Sequence, residues 1–211
     1  MTKRLLTLLG ASVLAQLAGP ARSPLLRYLQ IGSTRVAFEN DTLVEDGRRV
    51  ALTQSTIESV RAALGSAQPT DSGDAASSFR WICYRLTGTP AMSLILGSEE
   101  MGGGIYVTDF SFVPSNTEPR LERRCMPLDV DPTQVRTDRG LRVGLTRAQV
   151  DRILRVAGRD SARLVVYEQD VQRPFTNRDG KADKYTEAAG FTSEFRGGRV
   201  VGFSGWRIDS Y

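Results

Sequence analysis

Two stretches of the chain follow the same plan, and this repetition restricts the possible folds more than any other feature. They read GRRVALTQSTIESVRAALG at residues 47–65 and GLRVGLTRAQVDRILRVAG at residues 140–158. When Gly47 is aligned on Gly140, an Arg and a Val, a Leu-Thr pair and a final glycine recur at constant spacing. A segment written twice predicts two similar folding units in series.

Each stretch carries the signals of a short, capped helix. Thr53 and Thr146 precede an amphipathic segment, as N-cap residues do, and Gln149 completes a capping box in the second copy only. Gly65 and Gly158 stand where a left-handed residue commonly ends a helix. We therefore predict one helix of about three turns in each copy, and the apolar faces are Ile57, Val60 and Leu64 in the first and Val150, Ile153, Leu154 and Ala157 in the second.

Helices this short are not stable alone in water, so each is expected to pack on a sheet. Three strand-like segments follow each helix, at residues 80–86, 91–97 and 105–112 in the first half and 162–169, 185–195 and 199–206 in the second. The predicted fold is α+β, with two tandem repeats that each pack a short helix on a three- to four-stranded antiparallel meander. The first repeat spans residues 24–112, a proline-rich linker spans 113–134, and the second repeat spans 135–211.

The N-terminus has the layout of a secretory signal peptide. Lys3 and Arg4 precede an apolar run that ends near Ala18, and small residues and a proline follow. The run is shorter than the ~20 apolar residues that a membrane span requires. We predict that residues 1–23 are removed and that the mature protein is periplasmic or secreted, with no membrane span.

Removal of the signal also changes how the charge is interpreted. The whole chain has 28 basic and 24 acidic residues. Three of the basic residues, Lys3, Arg4 and Arg22, lie in the predicted signal, so the mature chain is close to neutral. Without a basic patch or a known motif, nucleic acid is not an expected partner.

In an oxidising compartment, the two cysteines are expected to pair. Cys83 and Cys125 are the only cysteines of the chain, and a disulfide between them is the simplest arrangement after export. A catalytic thiol would need a base, and the sequence contains no histidine.

The same lack of histidine argues against the common catalytic sites. It rules out Ser-His-Asp and Cys-His arrangements, and two cysteines are too few for a structural zinc site. A Ser-Lys pair would have to use Lys181 or Lys184, which lie in a polar segment. That segment, residues 176–187, partly matches a calcium loop but fails at both ends, so we interpret it as an Asp-Gly turn. We predict a protein that is not an enzyme and holds no cofactor or metal.

The remaining candidate for function is a contact surface. Side chains alternate along a strand, and our hypothesis is that the side of the first strand of each half that carries Cys83 and Val166 packs on the helices. Tyr84 and Tyr167, together with Arg163, would then lie on the open side of the sheet, where Tyr106 and Trp206 could join them. Tyrosine, tryptophan and arginine carry much of the binding energy at protein interfaces. The alternative is that these tyrosines are half-buried packing and that Trp206 belongs to the core.

The order of motifs resembles a known superfamily. An apolar pair, Leu-Thr, a short helix ending in glycine and a meander closing with an aromatic strand are similar to the unit of the beta-lactamase-inhibitory-protein superfamily. That superfamily also includes the small lipoprotein of the outer-membrane barrel-assembly machine. The resemblance covers roughly residues 35–208, and two units in series are closer to the inhibitor. The chain has one cysteine pair rather than one per unit, and it lacks the cysteine that would accept a lipid.

Together these features predict an exported, soluble protein-binding module. An inhibitor or immunity-like protein that acts through an open sheet face is the sharpest version of this hypothesis. The alternatives are a binder of small molecules or peptidoglycan fragments and an accessory protein of the cell envelope. A cleft with convergent polar groups would favour a ligand binder, whereas a broad surface rich in Tyr and Arg would favour a protein partner.

Overall fold

The computed structural model describes residues 42–45, 48–73, 78–99, 103–117, 123–137 and 139–210. The predicted signal peptide, residues 1–23, lies outside the described residues. The two α-helices of the described chain are α1, Ile57–Leu64, and α2, Arg147–Leu154. The strands in chain order, β1 to β12, are Thr42–Glu45, Arg48–Ala51, Thr70–Ser72, Phe79–Leu86, Met92–Ser98, Asp109–Pro114, Met126–Leu128, Arg136–Thr137, Arg159–Ser161, Leu164–Thr176, Ala182–Arg196 and Arg199–Ser210.

The described chain is α+β and is dominated by one large sheet. Its strands lie in the order β3-β4-β5-β6-β12-β11-β10-β9, and every neighbouring pair is antiparallel. Strand β7 adds to the outer side of β4 in parallel orientation. A separate three-stranded sheet has the order β2-β1-β8. The two halves of the sequence therefore meet in one sheet, at the β6–β12 pair.

The six longest strands, β4, β5, β6, β10, β11 and β12, overlap the six predicted segments, and the first half contains the main deviation. The sequence predicts a strand over residues 105–112, but β6 begins only at Asp109. The preceding residues turn back to the first helix, where the Ile57 amide donates to the Ile105 carbonyl at 2.8 Å. In addition, β3 lies between α1 and the first predicted strand, where no strand was predicted, and β7 lies in the predicted linker.

The start of α1 was predicted three residues too early. Thr53 has a positive φ of 60° and lies in a turn, so it does not cap the helix. The turn closes when the Ser55 amide donates to the Ala51 carbonyl at 2.8 Å. Thr56 is the N-cap instead, and Ser59 completes a capping box that the sequence analysis missed. The apolar face of Ile57, Val60 and Leu64 is buried as predicted.

Helix α2 begins as predicted but ends early. Thr146 is the N-cap and forms the predicted capping box with Gln149. Arg155, and not Gly158, is the left-handed C-cap, so each helix has about two turns rather than three. Gly158 is small for a different reason, because a Cβ there would lie only 2.6 Å from Cε1 of Tyr167. Gly65 does follow α1, but at a φ of 122° it is outside the left-handed helical region.

One continuous core lies between both helices and the sheet. Each helix buries its apolar face on this core, and so does the helix-facing side of the central strands. Phe112 of β6 and Phe203 of β12 are register partners whose ring centroids lie 5.4 Å apart. Phe191 stacks on Phe203 at 5.8 Å. The aromatic contact therefore joins the two halves at the centre of the core.

The opposite side of the sheet, which we call the distal face, carries the disulfide. Cys83 and Cys125 are bonded across 42 positions of sequence, as predicted. Both are buried in a smaller cluster with Trp81, Ile95, Val113 and Leu164. The disulfide fixes the segment before β7 to strand β4.

We expect the double substitution Cys83→Ser, Cys125→Ser to lower the free energy of unfolding by about 4 kcal/mol. This is the loop-closure entropy that a crosslink of this length removes from the unfolded chain. Urea unfolding of the variant and of the wild type, the latter with and without reductant, measures the loss. Reduction of the wild type should match the variant, and equal stability of the oxidised and reduced forms would contradict the expectation.

Candidate functional site

The two tyrosines predicted to line an open surface are buried beneath the helices. Tyr84 and Tyr167 have 0% and 1% of their surface exposed, and both belong to the core between helices and sheet. The predicted facing of these strands was wrong, since Cys83 lies on the distal face. The sequence could not decide this, because residues 81–84 are apolar or aromatic on both sides of the strand. Alternation shows that successive side chains lie on opposite faces of the sheet, but it does not show which set faces the helices.

Each tyrosine hydrogen-bonds one helix to the sheet. The Tyr84 hydroxyl donates to the carbonyl of Gly65, just after α1, at 2.8 Å. The Tyr167 hydroxyl donates to the Asp151 carboxylate of α2, also at 2.8 Å. Burial raises the pKa of Tyr84 to about 12, against a small opposing effect of Arg61. Burial and the Asp151 carboxylate raise the pKa of Tyr167 further. These hydroxyls therefore act as neutral donors.

Arg147 completes the contacts around Tyr167. Its guanidinium pairs with Asp151 at 2.9 Å and with Asp160 at 2.7 Å, and it donates to the Gly158 carbonyl at 2.8 Å. It also lies 5.7 Å from the centroid of the Tyr167 ring, within the range of a cation-π contact. This cluster fixes α2 to the sheet and is structural.

We expect Tyr167→Phe to cost about 2 kcal/mol of stability and Tyr84→Phe about 1 kcal/mol. The first removes a hydrogen bond to a carboxylate and the second a bond to a neutral carbonyl, and charged acceptors make the stronger bond. Urea unfolding of the two variants tests this order. A larger loss for Tyr84→Phe would show that the carboxylate does not make the difference.

The other three predicted contact residues lie in separate places. Tyr106 is exposed in the β5–β6 connection. Arg163 is exposed in the turn before β10. Trp206 is buried on the distal face, where it pairs in register with Asp109. The predicted residues thus form no single surface. Phe203 of the same strand faces the helices, because side chains three residues apart lie on opposite faces of a strand.

Tyr106 is held rigidly although it is exposed. It forms a bridge with Thr56, the N-cap of α1. The Val107 amide donates to the Ser55 carbonyl at 2.9 Å. With 46% of Tyr106 and 57% of Ile105 exposed, these two are the exposed large hydrophobic residues of the described chain. A fixed backbone that presents an aromatic and an aliphatic side chain suits a contact with another molecule.

The middle of the distal face is polar, which the sequence analysis did not anticipate. The register places Thr192, Ser204 and Ser111 side by side on β11, β12 and β6. Glu194 lies in the neighbouring row, and all four are buried. The segments FTSEF, GFSGW and DFSF carry a signal of this feature, because aromatic residues alternate there with small polar ones.

Two of these four buried side chains each have a polar atom without a hydrogen-bond partner. Arg196 donates to Oε1 of Glu194 at 2.9 Å, but Oε2 of Glu194 and Oγ of Ser111 have no partner. Each such buried atom costs about 1 to 3 kcal/mol unless a water or ligand satisfies it. The polar row is thus the part of the distal face with chemistry to offer a small ligand.

Asp109 is a buried acid at the end of the same face. Burial raises its pKa well above the usual range, and the negative charge of Glu99 adds to this, while a hydrogen bond from Thr108 acts in the other direction. Its carboxylate packs over the backbone of Gly97, where a Cβ would lie 2.5 Å from Oδ2 of Asp109. Asp109 therefore retains its proton when exposed carboxyl groups have lost theirs.

We expect Asp109→Asn to gain stability relative to the wild type as the pH rises from 3.5 to 7. The native pKa lies above the unfolded one, so the wild type loses stability once the unfolded carboxyl ionises above about pH 4. Asparagine removes this penalty. Asp71→Asn is a matched control of opposite sign, because a hydrogen bond from Arg80 lowers the pKa of Asp71. Urea unfolding at both pH values measures the trend, and a flat profile for Asp109→Asn would contradict it.

The polar segment at residues 176–187, which partly matches a calcium loop, contains the hairpin turn between β10 and β11. The Asn177 carboxamide oxygen accepts from the amides of Asp179 and Lys181, at 3.0 and 2.9 Å. Gly180 has the positive φ of 76° that the turn requires. Within the described ranges, no three His, Cys, Asp or Glu side chains lie together as a metal-binding group.

Comparisons with known proteins found no relatives. No family model matches the chain, and neither a curated protein nor a solved structure matches it. Of the two helices in the described residues, neither has the length and hydropathy to cross a membrane.

Proposed function

We propose that this chain is an exported, non-enzymatic protein-binding module of the inhibitor or immunity-like class. The observation that carries the proposal is the Ile105-Tyr106 pair, which is exposed on a backbone bonded to the start of α1. Partner binding at such a rigid aromatic contact loses little side-chain entropy. The buried disulfide supports export, because such bonds persist in oxidising compartments.

We propose further that the fold is a tandem repeat of the kind found in the beta-lactamase-inhibitory-protein superfamily. The strand order supports this, since four strands of each half run outward from the β6–β12 pair in mirrored sequence. Two isolated bridges support it too, because Thr56 pairs with Tyr106 as Thr146 pairs with Arg199. The paired tyrosine anchors at Tyr84 and Tyr167 add a third correspondence.

The predicted contact surface changes with this proposal. Tyr84, Tyr167 and Trp206 are buried and are no longer candidate contact residues. Ile105 is added as a candidate beside Tyr106. Arg163 remains a candidate because it is exposed. The sheet does not need an open face for the module to bind, because the contact lies on a loop at the sheet's end.

The double substitution Ile105→Ser, Tyr106→Ala tests the proposal. Loss of an aromatic hot spot costs about 2 kcal/mol or more, which is roughly 30-fold in Kd. We expect capture of the partner from an envelope extract to fall accordingly, and titration with the captured partner gives the affinity. The thermal unfolding profile should change little, since both side chains are exposed.

Tyr106→Phe is the matched control, because it keeps the ring and removes only the hydroxyl, and its capture should stay close to that of the wild type. Arg163→Ala tests the second exposed residue separately. Unchanged affinity in the double variant would remove this loop from the binding surface.

A second candidate function is binding of a small polar ligand such as a peptidoglycan fragment. The unpartnered atoms of Glu194 and Ser111 favour it, since sugar hydroxyls could satisfy both. Titration calorimetry with soluble muropeptides, on the wild type and on Glu194→Gln, distinguishes the two functions. Binding that the Glu194 variant loses and the Tyr106 variant keeps would favour the ligand binder.

A further inference from the structure

The two ends of the large sheet are protected unequally. At one end, β3 pairs with Phe79–Trp81 and β7 pairs with Tyr84–Leu86, so most of the outer side of β4 is occupied. At the other end, β9 pairs only with Leu164–Val166 of β10. From there to Thr176, no strand of the described chain joins the outer side of β10. An exposed edge of this length is a template for another strand.

The ladder pattern shows which residues turn their backbone groups outward. The Phe195 amide donates to the Arg163 carbonyl, and the Asn177 amide donates to the Lys181 carbonyl, at the two ends of the β10–β11 pair. In an antiparallel ladder, bonded and non-bonded pairs alternate. Odd-numbered residues of β10 therefore bond to β11, and Glu168, Asp170 and Gln172 direct their amides and carbonyls to the open edge.

Pro174 agrees with this assignment and limits the edge. As an even-numbered residue it would direct its N–H outward, so the absence of that group costs no bond to β11. At Pro174, however, an incoming strand would find no N–H to donate to its carbonyl. The useful part of the edge is therefore Glu168 to Gln172, with three outward amides.

The side chains along this edge are acidic on one side. Leu164 belongs to the distal cluster, so Glu168 and Asp170 lie on the distal side by alternation. Arg159 pairs with Glu168 at 3.1 Å, and Asp170 is exposed. Burial raises the pKa of Glu168, Arg159 lowers it, and the charge of Asp170 raises it again. An approaching cation would relieve this repulsion.

We propose that β10, from Glu168 to Gln172, is a docking strand, which an extended segment of a partner protein joins as an added strand with lysine or arginine side chains beside Asp170. This inference rests on the protein-binding function proposed above and names a second contact for it. A second copy of the chain fits less well. An antiparallel copy centred on Asp170 would place the two Asp170 side chains directly opposite each other, and like charges across strands are destabilising.

A fluorescent peptide of alternating lysine and valine, flanked by threonines, is the probe, and the full mature chain is the target. We expect fluorescence anisotropy to show binding, and a glutamate-valine peptide to bind at least 10-fold more weakly. Amide exchange at Glu168, Asp170 and Gln172 should slow when the lysine peptide is bound. A peptide N-methylated on the residues that face β10 should not bind, which tests strand addition without altering the protein.

Three substitutions at one position separate backbone from charge. Asp170→Pro removes an outward N–H and should abolish binding. Its control, Asp170→Ala, keeps that N–H and should still bind the peptide. Asp170→Lys should reverse the preference toward the glutamate peptide. Equal binding of the methylated and unmethylated lysine peptides would overturn the proposal, and so would exchange protection of these amides by self-association without peptide.

The peptide assay tests the docking strand and the capture assay tests the Ile105-Tyr106 loop, so each proposal can be contradicted separately. If Ile105→Ser, Tyr106→Ala lowers capture but the lysine peptide does not bind, the docking strand is wrong and the protein-binding function stands. If the peptide binds and capture is unaffected by the loop variant, the edge rather than the loop is the contact.

Discussion

The fold depends on the pairing of β6 with β12. This pair brings Phe112 and Phe203 into register, and it turns two groups of strands into one sheet with one core. Each helix has only eight residues, which is too short for independent stability. Both are stabilised because the sheet beneath them is continuous, and because Tyr84 bonds to the C-terminal end of α1 and Tyr167 to Asp151 of α2.

The continuous sheet also determines what remains available for contact. One face is covered by the helices, and the distal face buries the disulfide and a row of hydroxyl and carboxylate groups. Within the described chain, the two candidate contact sites lie at the borders of the sheet, in the Ile105-Tyr106 loop and along the outer side of β10. Contacts at the border of a rigid sheet combine exposure with a fixed backbone, which is the combination that favours specific protein recognition.

The sequence predicted local features well, but it predicted poorly which side of each strand faces the helices. The N-cap at Thr146, the apolar face of α1 and the disulfide follow from local capping chemistry, from helical periodicity and from there being only two cysteines. The cap at Thr53 failed because a turn over residues 51–55, closed partly by contact with Val107, delays the helix by three residues. Gly158, like Gly65, was predicted to end a helix, but a glycine is needed there because Tyr167 packs against its backbone. Of the predicted contact residues, Tyr106 and Arg163 are exposed, whereas the others are buried.

The sequence by itself determined the approximate positions of the helices and of the six long strands, because capping and periodicity act within a few residues of one another. Only the tertiary structure decided which side of each strand meets the helices and where the two halves join. Strands such as Phe79–Leu86 are apolar on both sides, so alternation leaves their phase open. The choice is made by distant partners, by Cys125 on one side and by the two helices that bond to Tyr84 and Tyr167 on the other.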